Sequence, residues 1–346
     1  MNPRWKKRPE GSNWGDFGPD DQLGRLNYLT PEKVKQGVAE VRQGLTFCLS
    51  IPLDYPGEAK LNVRRLPPVL APTYRDGNPY INFPTDLMDS QNTTIISDDQ
   101  VTMCLQYSTQ WDSLAHIGSY FDADDDGIAE KVYYNGFRAN QHIRGPIDYQ
   151  GKYQHKCEPP FGATSLGIEN MAEKCLQGRG VLIDFHAHFG TKKHAAGYDD
   201  VMRIIEQDKV IVEKGDMLLL HTGWTGLIMQ MNKHPDMDVL DNSCVGLDGR
   251  DEKLLQWISD SGIAALIADN YAVEHWPPKP RQGRRPMIPL HEHCLFKLGI
   301  PLGEIWWLQD LAGWLRAQQR NRFLLTAPPL RLPGAIGSPA TPVATV

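Results

Sequence analysis

The 346-residue sequence has no apolar run approaching the roughly 20 residues of a membrane-spanning helix. Its six cysteines, Cys48, Cys104, Cys157, Cys175, Cys244 and Cys294, are scattered and form no C-x-x-C pair, which argues against a zinc ribbon and a disulfide framework. Basic residues form no extended block, and 36 of them against 42 acidic residues leave a net charge of −6. The electrostatic footprint of a nucleic-acid or anionic-membrane partner is therefore missing. Glycine pairs such as Gly178 and Gly180 are isolated and match neither a phosphate loop nor a dinucleotide fingerprint, and no G-x-S-x-G elbow is present. Met1 to Asp20 carries Lys6, Lys7 and Arg8 without the apolar stretch of a secretory signal. The expectation is a cytoplasmic chain with reduced thiols that acts on a small molecule, not on nucleic acid or a membrane.

What is present is a globular mix, 41% hydrophobic and 23% charged, made turn-rich by 31 glycines and 26 prolines. With no linker or internal repeat, the expected organisation is an N-terminal arm over 1–30, one body over 31–332 and a Pro/Ala-rich tail over 333–346. Trp5, Trp14 and Phe17 suggest that the arm packs on the body, since disordered segments are poor in aromatics. Thr30 as N-cap and Pro31 as first helical residue predict a helix carrying Val34, Val38 and Val41 on one face up to Gly44. A strand over 45–53 follows, then a long surface excursion over 54–97, a lid or a subunit contact. Residues 100–116 read as strand-like. Apolar runs predict buried strands over 180–184, 217–221, 263–268 and 322–326, with helices over 199–214, 251–261 and 289–298. The alternation makes the fold class mixed α/β.

Three polar clusters could carry chemistry. In an extended chain Gln106, Gln110 and Asp112 share one face, where a carboxylate and amide oxygens could converge on a metal or a polar substrate, with His116 four residues further on. The competing structural reading is a strand end with solvated polar residues and a helix-capping histidine. His291, with His293 two residues on and Glu304 beyond a Gly-Ile-Pro turn, could complete a metal site or simply open an exposed polar helix. His186 and His188 follow a strand at alternate positions, a frequent metal pair that also arises by chance among 11 histidines. Asp122 to Gly127 begins like a calcium loop, but Tyr133 stands where the bidentate glutamate belongs, so a solvated acidic turn is expected.

Taken in order, Asn13-Trp14-Gly15, Asp20 to Asn27, Thr109 to His116, Gly178 to Asp184, Gly215 to Trp224, Ala268-Asp269-Asn270 and Leu290 to Glu304 resemble the cyclase family of metal-dependent hydrolases, which includes bacterial kynurenine formamidase and isatin hydrolase. The resemblance runs almost end to end. It implies a swivelling β/β/α domain, a homo-oligomer (dimer or tetramer) and a divalent metal, Mn²⁺ or Zn²⁺. The family signature H-x-G-T-H-x-D-x-x-x-H places Asp112 on a metal ligand and His116 on the catalytic acid/base, with His291 and Glu304 as downstream ligands. Gln106 and Gln110 stand where two metal histidines belong. An amide oxygen is neutral and harder than imidazole, so zinc affinity should fall. Three outcomes stay open: a mononuclear site using Gln106 and Gln110 with Mn²⁺, a rebuilt site recruiting His186 or His188, or loss of the metal. The Thr-Gln-Trp-Asp form resembles a distinct branch of the family, which favours retained function. Trp111 and Trp224 would wall a pocket for a flat ring. The implied activity is hydrolysis of an amide, imide, lactone or ester bond in a small cyclic or aromatic metabolite. The alternatives are a polyketide-type cyclase or dehydratase, and a non-catalytic binding protein that has lost metal ligands.

Overall fold

Runs of aliphatic residues long enough to be buried on both faces become the middle of a sheet. In the computed structural model, which describes residues 4–146 and 161–346, the main sheet contains β1 (Thr46–Cys48), β2 (Gln110–Asp112), β3 (Gln177–Asp184), β4 (Met217–His221), β5 (Ala265–Ala268), β6 (Leu302–Glu304), β7 (Arg322–Thr326), β8 (Gly337–Pro339) and β9 (Val343–Thr345). The spatial order is β1-β9-β7-β3-β4-β5-β6-β2-β8. Strands β3 to β6 are parallel, as their continuous apolar sequences require, and the flanking pairs are antiparallel.

Alternation along these strands divides the core in two. Val181, Ile183, Leu218, Leu220, Leu266 and Leu302 face one cluster, while Leu182, Leu219, Ala265 and Ile267 face the other. The first face is covered by α2 (Tyr198–Gln207), by α3 (Glu252–Ser261) and by residues 289–298; the second is covered by α4 (Gln309–Ala317). The remaining long helix, α1 (Pro31–Val38), runs against β3. Asp251 caps α3 by accepting from the Lys253 and Leu254 amides. The N-terminal residues pack as their aromatics suggest: Trp14 is fully buried, edge-on to Phe121 and Phe296, and donates to the Phe296 carbonyl at 2.8 Å.

Several expectations are corrected. Helix α1 begins at the Thr30 cap but stops at Val38, and its buried face is Lys33 and Gly37, not the valines. The reason is close docking: a Cβ at Gly37 would lie 2.7 Å from the Gly178 backbone, and Lys33 reaches Asp216 at 3.0 Å. Residues 100–116 do not form one strand. Asp99–Thr102 pairs with Val69–Pro72 in a separate ribbon, the chain turns at 105–106, and only β2 joins the main sheet. The proline-rich stretch read as a tail supplies β8 and β9; Pro339 falls in β8, at the edge of the sheet, and β9 carries no proline. The excursion over 54–97 is built of short ribbons and leaves Val63, Leu66, Val69, Leu70, Tyr74 and Leu87 exposed. Asp122 accepts from the Asp126 and Gly127 amides, the geometry of a simple acidic turn. Residues 147–160, Cys157 among them, lie outside the described residues. Among the described residues no helix is long and apolar enough to cross a membrane.

At the carboxyl ends of β3 and β4, Asp184 accepts from His221 Nδ1 at 2.8 Å and from the exposed guanidinium of Arg316 on α4. Burial alone would raise the carboxyl, but these bonds hold it down at about 2, and the same carboxylate raises His221 despite its burial. The depressed carboxyl contributes stability that is present above about pH 4 and lost as pH falls toward 2, because the unfolded chain binds the proton more readily. The raised imidazole contributes stability that is present below about pH 6.5 and lost as pH rises through its folded value. Asp184→Asn should therefore destabilise the fold by about 2–3 kcal/mol at neutral pH. Its deficit relative to the native protein should shrink between pH 4 and 2. Thermal unfolding of both proteins across pH 2–7 checks this; a deficit independent of pH would remove the linkage.

Candidate metal centre

The register between β2 and β6 builds the site. Leu302 pairs with Asp112 and Glu304 with Gln110, so both carboxylates and the amide share the sheet face beneath residues 289–298. Trp111, between them, points to the opposite face. The third side chain, His291, ends the short α-helical turn Pro289–His291, entered through Pro289 and continued as a π-helix over Glu292–Leu298. One ligand atom from each of Asp112, His291 and Glu304 lies within 4.8 Å of the others, and the three residues are 0%, 4% and 3% exposed.

A second layer fixes these groups. Glu274 accepts from His291 Nδ1 at 2.8 Å and from the backbone amides of His291 and Leu290 at 3.0 and 3.2 Å. That leaves His291 Nε2 facing Glu304 Oε1 at 3.1 Å, the carboxylate–histidine arrangement found behind metal-ligating imidazoles. Gln110 Nε2 donates to Glu304 Oε2 at 2.9 Å, and Gln106 Nε2 donates to Asp112 Oδ1. The Gln106 amide nitrogen also lies 3.1 Å from His116 Nδ1, and His116 Nε2 lies 3.7 Å from Asp112 Oδ2. Unlike the ligand trio, His116 is partly open, with its side chain 22% exposed.

The electrostatics are those of clustered, buried carboxyl groups. Burial pushes Glu304 up, the charge of Asp112 adds to this, and the carboxyl reaches about 7 in spite of His291 and Arg65. Burial would lower His291, yet its bonds to Glu274 and Glu304 raise it to about 10. For His116 burial outweighs the opposing pull of Asp112, and His291 and Arg65 add to the lowering. Two fully buried atoms, Asp112 Oδ2 and Gln110 Oε1, have no hydrogen-bond partner among the described residues. Unpaired buried oxygens beside clustered carboxylates fit a divalent cation, whose ligand set would be Asp112, His291 and Glu304.

Asp112, His116, His291 and Glu304, drawn from two distant sequence clusters, thus converge. Gln106 and Gln110 join them, but both meet the carboxylates through nitrogen, the one amide atom a carboxylate can accept from. His186 and His188 are elsewhere. Asp184 caps the short helix Phe185–Phe189 in place of a continued strand, so the two histidines do not share a strand face: the His186 ring lies 5.3 Å from that of His221, tilted by 60°, and His188 pairs with Asp208 at 2.8 Å. Trp111 is fully buried in the opposite core, edge-on to Trp306, on the sheet face away from Asp112 and Glu304. Trp224 lines a small cavity of about 70 Å³ with Leu61, Tyr271, Trp276 and Glu274. Glu274 and Arg65 were not singled out from the sequence. Glu274 lies four residues past Asn270, in a segment whose one signal was the Ala268-Asp269-Asn270 motif, and Arg65 sits in the aperiodic excursion.

The Cyclase family model matches residues 47–275. A crystal structure of a novel cyclase is 30% identical, with 97% of each chain covered and a TM-score of 0.72. Isatin hydrolase A from Labrenzia aggregata is 14% identical over 90% of this chain and 97% of its own, with a TM-score of 0.53. Isatin hydrolase A from Ralstonia solanacearum is 13% identical over 91% and 97%, with a TM-score of 0.52. No curated protein sequence matches. The chain belongs to the cyclase family. The isatin hydrolases share its fold.

The geometry predicts one divalent ion per chain, removed by a chelator with a fall in melting temperature. Asp112→Ala should abolish stoichiometric metal in elemental analysis. Glu274→Gln, which loosens His291, should weaken Mn²⁺ binding about 10–100-fold in calorimetry. Full metal content in Asp112→Ala would remove Asp112 from the ligand set.

Proposed function

We propose that this cyclase-family chain is a metal-dependent hydrolase that opens an amide, imide, lactone or ester bond in a small cyclic or aromatic metabolite. The observation that carries the reading is the buried Asp112, His291 and Glu304 trio with an unpartnered carboxylate oxygen, set directly beside a partly open histidine. A divalent ion held by the trio would polarise the scissile carbonyl and bring the pKa of a water toward neutrality. Glu274 holds the proton on His291 Nδ1 and keeps Nε2 turned toward Glu304. Gln106 and Gln110 hold the two carboxylates by donated hydrogen bonds. His116 is placed to take a proton from water and return it to the leaving nitrogen or oxygen. A donor set dominated by oxygen favours Mn²⁺ over Zn²⁺.

The first assay loads the protein with Mn²⁺ and offers isatin, N-formyl arylamines and aryl lactones. His116→Ala should lower turnover of whichever is accepted about 10²–10⁴-fold while metal content stays unchanged. Full activity in that variant would overturn the acid/base assignment, and absence of turnover across the panel would count against the hydrolase reading.

We further propose that the chain assembles as a homo-oligomer through the excursion over 54–97 and the strand Asp99–Thr102 that pairs with it. The ribbon of Val69–Pro72 with Asp99–Thr102 is two-stranded, leaves its second strand exposed along its whole length and carries apolar side chains to solvent. Such a ribbon is marginal alone in water. Light scattering on the eluting protein should give a multiple of 39.0 kDa, reduced by Leu70→Glu; a monomer would exclude the assembly.

A further inference from the structure

The excursion that leaves apolar side chains in solvent also sends one cation to the rim of the metal centre. Arg65 donates through Nη1 to the Gln106 carbonyl at 2.7 Å, and the Gln106 side chain touches both Asp112 and His116. Its guanidinium carbon lies 5.9 Å from the Tyr271 ring centroid. The turn that presents it is fixed. The Arg65 amide donates to the Asn62 carbonyl at 2.9 Å, the Arg64 amide donates to Asn62 Oδ1 at 3.1 Å, and Asn62 Nδ2 donates to the Tyr271 hydroxyl at 3.0 Å. Arg65 is only partly buried, and among the described residues no carboxylate lies within ion-pair distance of it, although its charge bears on both His116 and Glu304.

A guanidinium carries five N–H donors in a planar fork, and one is engaged here. The rest are held near the partly open side of the site, where Gln106 and His116 lie, next to an aromatic ring. We propose that Arg65 determines specificity by receiving a planar carboxylate on the substrate, so that the preferred substrates are aromatic or cyclic acids whose scissile carbonyl lies near an anionic group. The proposal rests on the hydrolase reading for the word substrate. The fork matches a carboxylate bidentately, which a lysine ammonium does not. Acid substrates would otherwise be repelled by Asp112, Glu274 and Glu304, and Arg65 supplies the local charge that lets an anion approach. Tyr271, whose hydroxyl is tied to the same turn, offers its ring beside the fork.

The test is binding, so it stands apart from turnover. The Mn²⁺-loaded full chain is titrated with benzoate and with benzamide, its neutral counterpart, and metal content is measured alongside. Benzoate should bind at least about tenfold more tightly than benzamide, and Arg65→Gln should remove that preference while metal content and benzamide binding stay unchanged. Arg65→Lys should recover part of the benzoate preference and not all of it. Benzoate binding that is undiminished in Arg65→Gln would place the carboxylate on the metal and overturn the proposal. So would equal affinity of the native protein for the two probes, or loss of metal from Arg65→Gln, which would make the residue a structural counter-charge. A chain that shows the benzoate preference yet turns over nothing in the hydrolase panel would refute the hydrolase reading and leave the anion site standing.

Discussion

Asp112 and Glu304 are brought together out of water by one antiparallel pairing, and the surrounding site answers to that constraint. Two carboxylates sharing a dry pocket repel each other and lose their hydration, so the fold must return donors or positive charge to them. Gln106 and Gln110 return two amide donors, and His291 sits between Glu304 and Glu274. Even so, Asp112 Oδ2 receives no hydrogen bond from the described residues and Glu304 is held well above the ordinary carboxyl range. The protein side chains alone therefore leave the cluster short of positive charge, which a divalent cation held by Asp112, His291 and Glu304 would supply.

The pairing is rigid because both strands are clamped. Strand β2 lies between β6 and β8, and β6 lies between β5 and β2. Thr109, just before β2, donates to the Ile305 carbonyl at 2.6 Å and accepts from the Ile51 amide at 3.0 Å, which locks the entry of one strand to the exit of the other. A one-residue slip would carry Asp112 into the opposite core and Trp111 into the site. Trp111 guards against that slip: packed on Trp306 and donating to the Ala327 carbonyl, it has a partner only in the observed register. Its contribution to the site is to fix the register.

Much of this was legible in the sequence where local rules decide the outcome. The strands over 217–221 and 322–326 match their predicted limits, since continuous aliphatic runs between turns have few other fates. Asp112, His116, His291 and Glu304 stand out in the sequence as polar clusters that the family resemblance assigns to one site, and the fold brings the four side chains together. What was not legible depends on tertiary contacts. Nothing in the local pattern of α1 says that Gly37 will be pressed against Gly178, so the shared face of the valines does not mark the side that docks. His186 and His188 were read as strand neighbours because the Asp184 cap that starts a helix there is visible only once Ala187 folds back on it. Glu274 and Arg65 reach the site from segments without periodicity, where position is set by packing on other elements.

The two glutamines show how such a centre can change ligands without losing its framework. At a ligand position an imidazole offers one lone pair to an ion, whereas an amide offers both an acceptor oxygen and a donor nitrogen. Here the nitrogens are spent on Asp112 and Glu304, and Gln110 Oε1 is left buried and unpaired on the same side. The amides thereby act on the geometry of the carboxylates, while the soft character of the site falls to His291 alone. A centre in which carboxylates predominate over imidazole binds through charge more than through ligand softness. Its polarising strength then depends on how closely Asp112 and Glu304 are held, which is set by the register of β2 on β6.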